Sequence, residues 1–579
     1  MSLVTLTINN QRVEVEAGTT ILEAAKKVGI EIPTLCYLEG MHAIGACRVC
    51  VVEVKGAKSL VASCVAPVAD GMVVETNSSA VRAARKTTLE LIMSDHPAEC
   101  LTCIRNNNCE LQTLAEKFGV RDIRFAGEKS SHVPDHSSPS IMRDPDKCIL
   151  CRRCVTVCEQ VQSVSAIAPQ GRGFDTVIAP GLGADMNESD CVTCGQCILV
   201  CPVGALYERD EIEEVWRALA DPSKHVVVQT APATRVAIGE PFGYEPGTIN
   251  TGKMVAALRR LGFDSVMDTD FTADLTIMEE GHELIERLTT GGTLPLITSC
   301  SPGWIKFIEH FYPSLLPNVS TCKSPQQMFG ALAKTYYADK AGVDPKDIYS
   351  VSVMPCTAKK FEARRPEMRS SGYQDVDAVL TTRELARMIK EAGIDFPSLP
   401  DEEYDDPMGI STGAAVIFGA TGGVMEAALR TAYEVITKKP LGNINFTMLR
   451  GMEGLKEAEV DVDGTKVRVA VAHTLSNAKI LLDKVVSGEA DYHFIEIMAC
   501  PGGCIGGGGQ PIPTNTEIRK KRIAGVYTAD ERMTIRKSHE NPAITKIYEE
   551  FLEHPLSHRS HELLHTHYTE RGRYKGFKK

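Results

Sequence analysis

The sequence contains no apolar run of 18 residues or more, and its opening stretch "MSLVTLTINN" has no basic region followed by an apolar segment. The first absence excludes a membrane-spanning helix, the second a secretory signal. Positive charge is also not in excess. The 63 Lys and Arg face 75 Asp and Glu, a net charge of −12, which argues against a nucleic-acid groove. The basic end "RGRYKGFKK" reads as a solvated tail. At 579 residues, 43% of them hydrophobic and 24% charged, the chain is expected to hold several soluble domains.

Cysteine, by contrast, is plentiful. There are 20, spaced repeatedly at gaps of two and three residues. In a large chain with no signal this clustering points to metal ligation in a reducing cytoplasm rather than to disulfides. Fifteen precede residue 202; Cys300, Cys322, Cys356, Cys500 and Cys504 follow later.

"VTLTINNQRVEVEAG" alternates apolar and polar residues about Asn9-Asn10, the pattern of a hairpin. "TTILEAAKKVG" predicts a helix, with Thr20 and Glu23 spaced as a capping box. A hairpin and crossing helix suggest a β-grasp module over residues 1–80. Cys36, Cys47, Cys50 and Cys64 follow as C-x10-C-x2-C-x13-C. Plant-type ferredoxins bind a 2Fe–2S cluster through a comparable close pair and distant fourth thiol, although their first gap is shorter. Zinc is the alternative.

"HPAECLTCIRNNNC" supplies His96, Cys100, Cys103 and Cys109 within a small module, residues 81–136. In isolation this set suits structural zinc; between iron–sulfur modules it suits a His-ligated 4Fe–4S cluster. Residues 137–210 carry Cys148, Cys151, Cys154 and Cys158, then Cys191, Cys194, Cys197 and Cys201. This doubled C-x2-C-x2-C-x3-C is the two-cluster bacterial ferredoxin pattern, in which the fourth cysteine of each run serves the other cluster. Cys201 is therefore expected with the first three thiols and Cys158 with the later three. Glu159 replaces the usual proline after the first run.

From about residue 211 the chain alternates predicted strands and helices, implying parallel sheet covered on both faces. Strands are expected at residues 224–232, 294–300, 347–356, 376–382, 466–473 and 493–500. Cys300, Cys356 and Cys500 close three of them, where ligands of open α/β sheets bind. Cys504 follows in "CPGGCIGGGGQP", whose glycines suggest a loop closing over a bulky ligand. Buried cysteine acting as a small hydrophobe is the alternative for any one of these thiols.

"TSCSPGW", "MPCTAKKFE" and "EIMACPGGCIGGGGQP" resemble the three signature segments of the FeFe hydrogenases. The whole chain is similar to their clostridial-type, multi-cluster members and to the catalytic subunits of NAD(P)-linked bifurcating enzymes. The resemblance implies a multidomain α+β and α/β chain ending in an FeFe-hydrogenase catalytic domain, residues 211–579. It implies one 2Fe–2S cluster, three 4Fe–4S clusters and an H-cluster, a 4Fe–4S cubane joined to a two-iron unit with CO, cyanide and an azadithiolate. Cys356, Cys500 and Cys504 would hold the cubane, with Cys504 bridging. Ala231, Pro232, Ser324, Gln326, Met354, Phe418 and Met498 would surround the two-iron unit, and Lys359 would face its cyanides. Glu280, Glu283 and Ser320, ending at Cys300, would carry protons from the surface to the cluster. Spacing alone makes the two glutamates mere neighbours on a helix.

One position departs from the family. Two adjacent cysteines are usual where this chain has Cys300-Ser301. Either Ser301 or another group completes the cubane, or Cys300 takes the ligand role. Serine is a harder and weaker ligand than thiolate. Cys322 is a spare thiol nearby, with packing as its expected role.

The expected activity is reversible 2H⁺ + 2e⁻ ⇌ H₂ in the cytoplasm. Ferredoxin and flavin- and NAD(P)-binding subunits are the implied partners, because "GATGGV" is too weak a signal for a dinucleotide site in this chain. The rivals are a pure electron-transfer subunit, an iron–sulfur assembly protein and a sensory hydrogenase. "HPLSHRSHELLHTHY", with five histidines, reads as a docked helix with those histidines exposed.

Overall fold

The computed structural model describes residues 2–462 and 464–572. The basic tail from residue 573 onward lies outside them.

The N-terminal hairpin forms as its alternation requires. Leu3–Ile8 pairs antiparallel with Gln11–Glu16, and Asn9 and Asn10 take the positive φ of 46° and 65° that a two-residue turn needs. Thr20 and Glu23 close a capping box on the helix Ile21–Lys27. Three further strands complete a five-stranded sheet, and Leu6, Ile8, Ile21 and Cys50 lie in its core.

The strands of the catalytic half form two four-stranded sheets. Ser265–Asp268, His225–Thr230, Ile348–Met354 and Ala378–Thr381 make an all-parallel sheet in that order. Leu296–Ile297, Phe494–Met498, Thr465–His473 and Leu455–Val462 make the other, with only the last strand antiparallel. Alternation of strand and helix reveals element type but carries no pairing information, so one sheet and two read alike. Ser265–Asp268 and Leu455–Val462 are absent from the expected strands. Residues 294–300 yield a strand of only two residues, Leu296–Ile297.

The split places the thiols. Cys356 follows a strand of the first sheet, while Cys300 and Cys500 follow strands of the second. The C-terminal edges of both sheets face one crevice, bridged by the long buried helix Thr269–Thr290. A continuous core from Ile198 and Val203 of the ferredoxin region to Trp304, Phe307 and Ile497 fastens the cluster modules to the second sheet.

Candidate hydrogen-activating site

Cys300, Ser301, Cys356, Cys500 and Cys504 line one largely apolar cavity with Ala231, Pro232, Gln326, Met354, Lys359, Phe418 and Met498. Residues from the ends of four strands and from the glycine loop thus meet. Ser324 does not reach that wall. Its hydroxyl donates instead to Glu362 Oε2 at 2.9 Å. The same carboxylate receives Lys359 Nζ at 2.8 Å and Gln326 Nε2 at 3.1 Å. Glu362, missed in the sequence, therefore orients two cavity residues; its spacing of three from Lys359 on a short helix was the available signal. Lys359 also donates to the Cys300 carbonyl at 3.2 Å.

The glycines act differently from expectation. A Cβ on Gly507 would stand 2.1 Å from the Pro355 carbonyl, and one on Gly508 2.3 Å from the Cys194 carbonyl. Their bareness lets the loop press against the second signature and the ferredoxin module. Gly503, at φ +95°, lines the cavity itself, yet its Cβ would strike Thr421 N at 2.6 Å.

The donor set suits an iron cluster. Burial pushes the Cys504 thiol up to about 12. It raises Cys356 too, and raises Cys500 together with repulsion from Cys356 and Cys504. Left alone these thiols stay protonated; held as thiolates so close together, they would need a cation among them.

Cys194 lines the same cavity. Around it, Gln196 Nε2 donates to the Gly506 carbonyl at 2.9 Å and Thr357 Oγ1 to the Thr193 carbonyl at 2.7 Å. Neither Gln196 nor Thr357 is marked by any motif spacing.

The other cysteines gather as their spacing implies. Cys148, Cys151, Cys154 and Cys201 line one pocket. Cys158 sits within electrostatic reach of Cys191, Cys194 and Cys197. Cys36 lies at hydrogen-bond range of Cys47 and Cys64, and the Cys50 and Cys64 sulfurs are 3.3 Å apart. His96, Cys100, Cys103 and Cys109 line a further pocket. His96 Nδ1 is buried there without a hydrogen-bond partner, and burial lowers the imidazole pKa. An orphaned neutral imidazole beside three thiols fits a metal cluster.

The relay candidates lie in sequence. Glu283 accepts from Ser320 Oγ at 2.8 Å and from Arg287 at 2.6 Å. Glu280 is fully buried close by, its Oε1 without a hydrogen-bond partner, and burial reinforced by the charge of Glu283 pushes it up to about 8. Glu280 in turn is the strongest ionisable neighbour of the Cys300 thiol. Cys322 is fully buried, 3.9 Å from Glu283. The late histidines do form a helix, His558–Leu564, but His565 beyond it is buried, contrary to the expectation that all five are exposed. Its Nε2 lies 3.1 Å from Glu279.

Comparison with known proteins agrees with this arrangement. Residues 224–508 match the family described as "Iron only hydrogenase large subunit, C-terminal domain" and residues 516–571 "Iron hydrogenase small subunit". Residues 2–79 match a 2Fe-2S iron-sulfur cluster binding domain, 85–124 an NADH-ubiquinone oxidoreductase-G iron-sulfur binding region, and 147–205 a 4Fe-4S dicluster domain. The chain is 54% identical to the NADP-reducing hydrogenase subunit HndD of Solidesulfovibrio fructosivorans, over 99% of this chain and 100% of that one. It is 44% identical to iron hydrogenase 1 of Clostridium pasteurianum, over 97% and 99%. A solved apo FeFe-hydrogenase from Chlamydomonas reinhardtii matches with a TM-score of 0.57 at 48% identity, covering 63% of this chain and 100% of that one.

Proposed function

From the premise that the chain belongs to the FeFe hydrogenases, and so is an iron hydrogenase with an N-terminal iron–sulfur chain, we propose how its own residues divide the work. Cys356, Cys500 and Cys504 would hold the cubane of an H-cluster, Cys504 also serving its two-iron unit. Ala231, Pro232, Gln326, Met354, Phe418 and Met498 enclose that unit and exclude water. Ser324 acts behind them through Glu362. Lys359 presents a compact positive donor to the cyanide ligands. When bound, the H-cluster supplies the redox iron and basic amine at which 2H⁺ + 2e⁻ ⇌ H₂ proceeds.

The protein supplies separate routes for protons and electrons. Protons enter by Glu283, pass through Ser320, bonded to it at 2.8 Å, to Glu280 and reach the Cys300 thiol, all of them shielded from bulk water. Cys194, with the other ferredoxin-type cysteines, would hold paired 4Fe–4S clusters beside the cavity, and these with clusters in the His96 and 2Fe–2S modules would supply a path for electrons. The domains divide at residues 80, 136 and 210. In the cytoplasm, electrons pass to or from ferredoxin and a flavin-bearing NAD(P)-linked subunit in a bifurcating complex. The relationship to an NADP-reducing hydrogenase subunit supports that reading.

The convergence of four cysteines and Ser301 on a cavity shared with Cys194 carries the proposal. Its test is isotope exchange. Matured protein under H₂ in D₂O is expected to release HD without any added electron acceptor. NADP⁺ reduction by H₂ is expected only after the flavoprotein partner and ferredoxin are added. Absent HD formation overturns the site assignment; NADP⁺ reduction by the chain alone overturns the partner assignment.

A further inference from the structure

Ser301 is the N-cap of the helix Pro302–Phe311, yet its side chain caps nothing. Serine is among the residues that most favour this position because its oxygen accepts a first-turn N–H. Here the oxygen gives up that role. It lies at the cavity wall and accepts the Ala499 N–H at 3.3 Å, one residue before Cys500.

The adjacent Cys300 is placed differently. Its strongest ionisable neighbours are Glu280 and Cys504, whereas those of Cys500 are Cys356 and Cys504. Ser301 is extended, at φ −102° and ψ 99°, and successive side chains of extended backbone point to opposite sides. The two side chains thus leave the backbone on opposite sides, and Ser301 Oγ is the one bonded beside Cys500.

Resting on the H-cluster assignment above, three thiolates leave one iron of the cubane without a protein ligand. We propose that Ser301 Oγ is that ligand, and that Cys300 remains a free thiol for proton transfer. As the Fe–O bond forms, the hydroxyl releases its proton to solvent; no electron is transferred. An oxygen donor is harder than sulfur and favours the ferric state. The cubane of this chain is therefore expected to have a lower reduction potential than the same cubane in Ser301→Cys.

The experiment uses the full chain expressed without H-cluster maturation proteins, so that no two-iron unit is inserted. Iron content, EPR after mild oxidation and EPR-monitored redox titration are compared across Ser301→Ala, Ser301→Cys and Cys300→Ala. Ser301→Ala is expected to lose iron and gain a three-iron cluster signal. Ser301→Cys is expected to keep the four-iron cluster at a raised potential, which separates a ligand effect from a folding defect. Cys300→Ala is expected to leave both spectrum and iron content unchanged. A three-iron signal in Cys300→Ala with none in Ser301→Ala overturns the proposal, as does a Ser301→Ala spectrum identical to the parent's. If Cys356→Ala and Cys500→Ala also match the parent, the cubane assignment itself fails.

Discussion

The hydroxyl of Thr357 donates to the carbonyl of Thr193 at 2.7 Å. One partner follows Cys356 in the catalytic domain and the other precedes Cys194 in the ferredoxin region. The bond is fully buried, and beside it Gly195, at φ +69°, leaves room that a Cβ would take at 2.4 Å from Thr357 Oγ1. The electron route and the catalytic cavity are thus fastened at the point where they are closest in sequence to their cysteines.

Thr357→Val keeps the shape but strands the Thr193 carbonyl, a loss of about 1–3 kcal/mol. H₂ oxidation with a dye served by the outer clusters is expected to slow several-fold, while HD exchange, confined to the cavity, changes little. Equal loss in both assays would refute a coupling role for this contact.

Glu280→Gln, Glu283→Gln and Ser320→Ala test the proposed proton route without removing a cysteine. Each is expected to lower H₂ evolution about 100-fold or more, with iron content and cluster spectra unchanged. A variant retaining full turnover would remove its residue from the route.

Glu280 should also leave a pH signature. Its ordinary carboxyl value of 4.5 is pushed up to about 8, first by burial and then by Glu283. The neutral acid is the proton-donating form, so evolution is expected to decline as pH rises through about 8. The sign for stability is the same: the contribution is full below the ordinary carboxylate range and is lost as pH rises through the shifted value. Thermal melts of the parent and Glu280→Gln between about pH 6 and pH 9 should diverge, with the variant flatter. Parallel curves would contradict the shift.

Glu279 anchors the C-terminal segment. It accepts from Tyr548 at 2.6 Å, Ser560 at 2.8 Å, the Leu556 N–H at 2.9 Å and His565 at 3.1 Å. These bonds overcome burial and hold its pKa below the usual carboxylate value, so its stabilisation is present above that range and lost as pH falls through the depressed value. Glu279→Ala leaves these donors unsatisfied. A stability loss of about 3 kcal/mol is expected, with faster amide exchange across residues 548–565. Unchanged exchange there would show that the segment is held elsewhere.

What the sequence made legible follows the range of the interactions. The two runs Cys148–Cys158 and Cys191–Cys201 have gaps of only two and three residues, so spacing alone singled them out. The Asn9-Asn10 hairpin and the Thr20 capping box are equally local. Cys300, Cys356 and Cys500 could be placed at strand ends, but whether those ends shared a sheet was not encoded in alternation. Gln196 and Thr357 were missed because each acts through a bond to a residue distant in sequence, and Glu362 because its three donors, Ser324, Gln326 and Lys359, meet it only in the folded chain. The glycines of residues 502–509 were seen but misread. Their lost side chains make room mainly for neighbouring backbone, which only the packed structure reveals.

Anaerobic infrared spectroscopy of protein produced with the H-cluster maturation machinery tests the central claim most directly. Bands of iron-bound CO and cyanide are expected, absent in protein made without that machinery and lost in Cys504→Ala. Protein with every other cluster loaded, but without those bands, would contradict the assignment of this cavity to hydrogen activation.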